Sequence, residues 1–315
     1  MKSSKISIVI IGCILCTSNS YAYDQEPQQP IRKAIILAAG LGTRFLPETK
    51  AVPKEIIPIF DKPAIHYIAA EAVDAGLQEL FIIIGSGKQS IVDYFNPGAR
   101  SPFLKEKDLK LIDEVVTKRF APATINYLIQ PQPMGVADAI SMGRHAINDG
   151  EYFAVLFPDD ILVGDSPAIG QMTAIAQQEH ATVIAVEEVP YEKISAYGVI
   201  SIKDQLSENL FEIDRLIEKP KAEEAPSNLA IVGRYILPQK IFAMIEQTPA
   251  HNGEVLLPDV IENLIKHGEK VLAYKFPQKR FDTGTPRGWV KAIIHFGLQD
   301  PDCAEEINKM IDNSH

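Results

Sequence analysis

The residues best suited to chemistry fall in four short stretches. The first is Ala38-Ala39-Gly40-Leu41-Gly42-Thr43-Arg44, with Lys54 ten residues beyond Arg44. Glycines in a turn let backbone N–H groups approach an anion closely, and cations beyond the turn suit phosphate oxygens. The second is Phe157-Pro158-Asp159-Asp160. Its hard carboxylate oxygens suit Mg²⁺, which commonly joins one or two carboxylates to a substrate phosphate. The third is Ile217-Glu218-Lys219-Pro220, where Glu218 suits sugar hydroxyls and Lys219 a phosphate. The fourth is Phe281-Asp282-Thr283-Gly284-Thr285, another carboxylate in a glycine-containing turn. If Asp282 meets Asp159, distant parts of the chain assemble one metal site. Taken singly, these stretches serve equally well as a tight turn, a capped turn or a surface ion pair.

Other chemistries find less support. The 40–44 turn lacks the third glycine of the dinucleotide fingerprint. Ser86-Gly87-Lys88-Gln89 mimics the end of a Walker loop, but Ile82 stands where its first glycine belongs and Gln89 where Ser or Thr belongs. Lys88 is accordingly expected to be a surface loop residue. The seven histidines are scattered without a zinc-binding spacing, and Gly-x-Ser-x-Gly is absent.

Elements that could carry these groups to one edge alternate along the chain. Apolar runs predict strands at 34–37, 80–84, 124–129 and 152–157, with helices at 63–75, 90–95 and 136–147 between them. Residues 102–118 mix charges with Leu104, Leu109, Leu111, Ile112 and Val115, the pattern of an amphipathic helical insertion. The second half predicts helix 168–180, strand 182–186, a hairpin bracketed by 198–202 and 215–218, and strand 230–236. Helices 238–245 and 257–267, strand 271–275 and helices 286–296 and 301–311 complete the pattern. Short apolar strands separated by helices predict an α/β fold with a mixed, mostly parallel central sheet covered by helices, and a small β elaboration. Ligands of such sheets sit beyond the carboxyl ends of the strands, where Gly40 and Asp159 would stand.

The chain has 315 residues, 46% of them hydrophobic, enough for a sizeable core. Its net charge of −10 gives no support for binding nucleic acid or anionic membranes. Residues 1–22 read as an export signal: Lys2 and Lys5, an apolar run at 6–16, then Ser20-Tyr21-Ala22 before the cleavage point. That run is too short to span a membrane comfortably, so the mature chain is expected to carry no stable span. Residues 23–31 form a lead-in, 32–296 one domain and 297–315 a C-terminal helix and tail. Cys13 and Cys16 lie within the apolar run, which leaves Cys303 as the one cysteine of a mature chain and allows no internal disulfide.

In order, these pieces resemble the bacterial UTP–glucose-1-phosphate uridylyltransferases of the sugar-nucleotide pyrophosphorylase superfamily. The carriers are A-A-G-L-G-T-R-F-L-P-E-T-K-A-V-P-K-E, F-P-D-D, A-Y-G-V-I and the long run I-E-K-P-K-A-E-E-A-P-S-N-L-A-I-V-G-R-Y-I-L. The resemblance extends from about residue 32 to residue 296 and implies a Rossmann-like nucleotidyltransferase domain. It implies that Gly40, Leu41, Gly42, Thr43 and Arg44 wrap the nucleotide phosphates and that Lys54 stabilises the transferring and leaving groups. Gln130 and Gly135 match the uracil-reading segment. Asp159 and Asp282 match the Mg²⁺ ligands. Tyr197, Gly198 and Glu218 would line the glucose site, Lys219 would hold the sugar phosphate, and Gly233 would lie on the sugar-side wall. The implied substrates are UTP and glucose 1-phosphate, and the implied assembly is a dimer or tetramer.

The chain departs from that pattern in places. Ala137 and Asp138 replace the family's usual second glycine and histidine in the base-reading loop, and Gln130-Pro-Gln-Pro-Met-Gly135 looks closer to thymidylyltransferases. Leu256 and Pro258 replace polar residues in Gly253-Glu254-Val255-Leu256-Leu257-Pro258-Asp259. A dTDP-glucose or other NDP-sugar pyrophosphorylase is the alternative enzyme. An exported, non-catalytic sugar-nucleotide binder is the alternative of another class. The export signal points outside the cytoplasm, whereas the family's chemistry points inside it.

Overall fold

The computed structural model describes residues 29–312. The export signal at 1–22, and the lead-in as far as residue 28, lie outside the described residues. Strand β1 (Lys33–Ala38) is the apolar run before the glycine turn. Its side chains alternate between two cores, Ala34, Ile36 and Ala38 facing one and Ile35 the other. A strand apolar on both faces must be covered on both.

The hairpin β2 (Pro58–Ile59) and β3 (Lys62–Pro63) leads into α1 (Ala64–Asp74). Strand β4 (Glu79–Ile84) is followed by α2 (Gln89–Phe95), α3 (Glu106–Ile112) and β5 (Thr124–Ile129). Next come α4 (Val136–Ser141), β6 (Tyr152–Leu156), β7 (Asp160–Val163), α5 (Ala168–Glu179) and β8 (Thr182–Glu188). The hairpin β9 (Gly198–Ser207) and β10 (Leu210–Glu218) precedes β11 (Leu229–Pro238). The chain closes with α6 (Ile241–Gln247), α7 (Leu257–Lys266), β12 (Val271–Lys275), β13 (Lys279–Asp282), α8 (Pro286–Gly297) and α9 (Pro301–Asp312).

The main sheet has the order β5-β4-β1-β6-β11-β8-β12-β10-β9. Strands β5, β4, β1 and β6 are parallel, as are β8 and β12. Strand β11 inserts antiparallel between β6 and β8, and β10 runs antiparallel to both β12 and β9. The carboxyl ends of β1, β4, β5 and β6 therefore share one edge, which carries Gly40, Lys88, Gln130 and Asp159. The bridge between Ala230 and Val199 folds the open end of the β9–β10 hairpin back to the start of β11, beside that edge. A separate ribbon pairs β13 with β7 and sets Asp282 opposite Asp160.

Helices α1, α5 and α8 bury apolar residues in the core on one face of the sheet, and α4, α6 and α7 in the core on the other. In α7 the buried Leu257, Val260, Ile261 and Leu264 fall at i, i+3, i+4 and i+7, the stripe of an amphipathic helix. No helix among the described residues is long and apolar enough to cross a membrane.

Several local expectations are corrected. The helix expected at 136–147 stops at Ser141 and resumes as the short 3₁₀ turn Arg144–Ala146. Gly143 lies so close to the Ile35 side chain that a Cβ would collide with it. Pro238 ends β11 rather than opening a helix, and α6 begins at Ile241. The insertion at 102–118 is helical only from Glu106, where α3 continues into the wider π-turns of Asp113–Lys118. Lys88 is not a surface loop residue. It is buried, and its Nζ donates to both carboxylate oxygens of buried Glu55 at 2.8 Å. A buried ammonium needs such a partner.

Candidate active site

The turn after β1 takes its shape from Gly42, whose φ of 66° is left-handed backbone that a side chain disfavours. The Thr49 hydroxyl donates 2.8 Å to the Gly42 carbonyl and holds the turn closed. Arg44 sits on the short 3₁₀ turn Thr43–Phe45 and is exposed, as are Gly40, Leu41 and Thr43. The following 3₁₀ turn, Lys54–Ile56, points two neighbours at different tasks. Glu55 turns inward to Lys88, while Lys54 Nζ lies 2.6 Å from Asp159 Oδ2. Burial alone would lower the Lys54 pKa, but the Asp159 carboxylate beside it holds it above its ordinary value.

Asp159 and Asp282 do converge. Gly284, between the β13 end and α8, would bring a Cβ to 2.6 Å from Asp159 Oδ2 and 3.1 Å from Asp282 Oδ1. The amide and hydroxyl of Thr283 both donate to the Asp159 carbonyl, at 2.7 and 2.9 Å, locking the two turns together. The two carboxyls shift in opposite directions. Burial would raise Asp159, but Lys54 holds it below the usual range. Burial pushes Asp282 up, and the nearby Asp160 and Asp159 carboxylates add to that push. A cation between Asp159 and Asp282 would relieve this repulsion. The donor set, two hard carboxylates brought together at Gly284 with Asp159 lining the adjoining cavity, fits Mg²⁺ completed by substrate oxygens. No cluster of three or more His, Cys, Asp or Glu side chains suited to a metal occurs among the described residues, so a metal here depends on ligands from outside the chain.

A cavity of about 360 Å³ is lined by Gly40, Lys54, Gln130, Gly135, Asp159 and Glu254 among others. A neighbouring cavity of about 220 Å³ is shared by Gly40, Leu41, Lys54, Lys88 and Gln130. The structure thus brings Gly40 of the glycine turn, Lys54, Gln130, Gly135 and two carboxylates, Asp159 and Glu254, around one space. Tyr197, Gly198, Glu218 and Lys219 line neither cavity. They form a second group, in which Glu218 pairs with Gly198 in register and the Lys219 amide donates 3.0 Å to the Tyr197 carbonyl. Lys219 has a φ of 47° and its ammonium lies 3.0 Å from Glu218. Gly233 is buried behind the 157–160 segment, its amide donating 2.9 Å to Asp160 Oδ2.

Two arginines that sequence reasoning passed over hold these groups in place. Arg280 donates from Nε to Asp160 Oδ1 at 2.6 Å, pairs with Glu187 and lies 5.8 Å from the Tyr197 ring centre. It ties the Tyr197 group to the carboxylates. Strand alternation places Arg280 on the same face as Asp282, which was the available signal. Arg234, fully buried on β11, makes a forked contact to Glu71 of α1, 2.7 Å at the shortest. Its remaining donors reach the carbonyls of Phe157, Gly233 and Asp160. It therefore fixes the backbone on either side of Asp159. A lone arginine in an apolar strand signals such a buried partner. Glu254, whose carboxylate packs over Gly135, also went unassigned.

The family model described as Nucleotidyl transferase matches residues 33–296. The chain belongs to the nucleotidyl transferase family. Within it, the chain is 38% identical over 291 residues to UTP–glucose-1-phosphate uridylyltransferase 1 of Streptococcus pyogenes serotype M1, covering 89% of this chain and 93% of that one. It is similar to a UDP-glucose pyrophosphorylase crystallised with UDP-glucose, with 36% identity, a TM-score of 0.78 and coverage of 86% of this chain and 100% of the other. The UTP-bound enzyme of Acinetobacter baumannii gives 34% identity and a TM-score of 0.80, covering 89% and 98%. These likenesses place the chain among the uridylyltransferase branch of the nucleotidyl transferases, as the resemblance in sequence implied. The mixed sheet and its glycine-turn edge are the fold of that family.

Proposed function

We infer that this nucleotidyl transferase joins UTP to glucose 1-phosphate, giving UDP-glucose and pyrophosphate. The observation that carries the reading is the meeting of Lys54, Asp159 and Asp282 behind the glycine turn. The attacking group is a phosphate oxygen of the sugar phosphate. It forms a bond to the α-phosphorus as the bond from that phosphorus to the pyrophosphate oxygen breaks. The nucleophile is already anionic, so no covalent enzyme intermediate is needed. The protein's task is to hold two anions in line and meet the charge that develops.

The amides of the 40–44 turn, with Arg44, would grip the triphosphate. Lys54, held by Asp159, would face the transferring phosphoryl group. Lys219 would take the sugar phosphate, with Tyr197, Gly198 and Glu218 around the hexose and Gly233 behind that wall. Asp159 and Asp282 would hold Mg²⁺, and when bound that ion supplies charge neutralisation between the two anionic substrates. Chelation with EDTA should abolish turnover and added Mg²⁺ should restore it. The decisive test incubates purified protein with UTP, glucose 1-phosphate and Mg²⁺ and measures UDP-glucose and pyrophosphate. Equal formation of both supports the reading, and no sugar nucleotide refutes it. The Gln130-to-Gly135 loop, closer in form to thymidylyltransferases, makes dTTP the competing nucleotide; a strong dTTP preference would replace UTP in this account.

Two further proposals concern placement. Residues 1–22 direct export, which N-terminal sequencing of the native protein tests: Tyr23 at the start supports it, Met1 refutes it. Val290, Ile294 and Leu298 form an exposed apolar line along and just beyond α8, which fits self-association into a dimer or tetramer. Light scattering after gel filtration would read a monomer if that is wrong.

A further inference from the structure

Gln130 is 4% exposed and lines both cavities of the site. Its main-chain amide donates 2.9 Å to the Ile84 carbonyl, so the residue is anchored at the sheet edge. Its side-chain nitrogen makes two bonds, 2.7 Å to Asp138 Oδ2 and 3.1 Å to the Gly135 carbonyl. Neither a carboxylate nor a carbonyl oxygen donates a hydrogen. Turning the amide over would set its oxygen against two other oxygens. The orientation of Gln130 is therefore settled by its partners, and both of its N–H donors are used. What remains for a ligand is the acceptor Oε1, to which no side chain or main-chain group of the described residues donates.

We propose that Asp138 sets base specificity by holding Gln130 as a pure hydrogen-bond acceptor, which selects a pyrimidine carrying N3–H and rejects one whose N3 is itself an acceptor. Uracil and thymine carry that hydrogen; cytosine does not. The inference rests on the nucleotide reading above and deepens it. It also says what this contact does not do: Gln130 Oε1 has no means of telling uracil from thymine, because their N3–H groups are alike. The 5-position must be read elsewhere. Asp138 touches no base in this scheme and acts through Gln130, so it is a positioning residue.

The test compares wild type, Asp138→Ala and Asp138→Asn with glucose 1-phosphate and Mg²⁺, measuring kcat and KM for UTP and for CTP. Equilibrium binding of UMP and CMP to the same proteins is measured alongside. An acceptor facing an acceptor forfeits a buried hydrogen bond, so wild type should prefer UTP over CTP by about 10- to 100-fold. Asp138→Ala removes the shorter and charged of the two bonds, leaving only the Gly135 carbonyl to orient the amide, and should cut that preference at least about tenfold, through a higher KM for UTP more than a lower kcat. Asp138→Asn still offers an acceptor oxygen and should keep most of the preference. A merely structural role would weaken both nucleotides alike and leave their ratio unchanged. An unchanged ratio in Asp138→Ala, for turnover and for binding, overturns the inference. A wild type that makes no UDP-glucose refutes the functional reading instead, and the UMP-to-CMP binding ratio then decides for Asp138.

Discussion

Arg234→Met tests whether the 157–160 segment is held from behind. Arg234 is 0% exposed and Glu71, its partner, is nearly as buried. Removing the guanidinium strands the Glu71 carboxylate in the interior and takes a donor from the carbonyls of Phe157 and Asp160. Breaking a buried pair from one side costs roughly 3–5 kcal/mol. In a domain of this size each kcal/mol shifts the midpoint by about 2–4 °C, so Tm should fall by about 6–20 °C. The double variant Glu71→Leu/Arg234→Met removes the stranded charge but not the orphaned carbonyls, and should recover roughly half of the loss. Circular dichroism melts of the four proteins in the cycle give these values. Turnover at a temperature where all are folded should stay depressed in both Arg234 variants, because the backbone around Asp159 is no longer held. An Arg234→Met protein melting within 2 °C of wild type, with full turnover, would refute the reasoning.

Three further outcomes follow from the same geometry. Lys54→Ala should lower kcat by about 10²–10³-fold with little change in fold, since it removes a cation aimed at developing phosphoryl charge; wild-type kcat would remove Lys54 from the site. Lys88→Met should destabilise by roughly 3–5 kcal/mol in urea unfolding, because Glu55 is left buried and unpaired; a loss below about 1 kcal/mol would show that the pair is dispensable. His66 gives a pH signature. It is buried against Phe120 and Tyr94, and burial pushes its pKa down to about 4 from 6.5. The unfolded chain then binds the proton first, so this contribution is whole above about pH 6.5 and is lost as pH falls toward 4, by about 3 kcal/mol in all. Urea unfolding of wild type and His66→Gln between pH 7.5 and 4.5 should show a steeper acid loss in wild type, and equal slopes would refute the assignment.

Much of the site was legible because its carriers adjoin strong signals. Gly40 and Arg44 follow an apolar strand, and Asp159 follows another, so the common edge could be argued from pattern alone. The meeting of Asp159 with Asp282 stayed conditional. The ribbon that makes it, Asp160–Val163 against Lys279–Asp282, has strands of only four residues each, too short to stand out. Lys88 reads as a surface residue because its neighbours have the composition of a solvent loop, while its partner Glu55 lies 33 residues away. Periodicity predicts one helix over 136–147 because it carries no information about the Ile35 side chain packed against Gly143. Direction was illegible for β11: an apolar run reads the same whether its neighbours run parallel or antiparallel. Long-range pairings of charge, such as Arg280 with Asp160 and Glu187, leave no local trace of their partners in the sequence.

The central claim is direct transfer from nucleotide to sugar phosphate, and its most direct test is stereochemical. UTP carrying a chiral thiophosphate at the α-position is converted with glucose 1-phosphate, and the configuration of the resulting UDP-glucose thiophosphate is read by ³¹P NMR. A single in-line displacement, the step proposed above, inverts the phosphorus. Retention would mean that the uridylyl group had passed through a covalent enzyme intermediate, and would contradict the account.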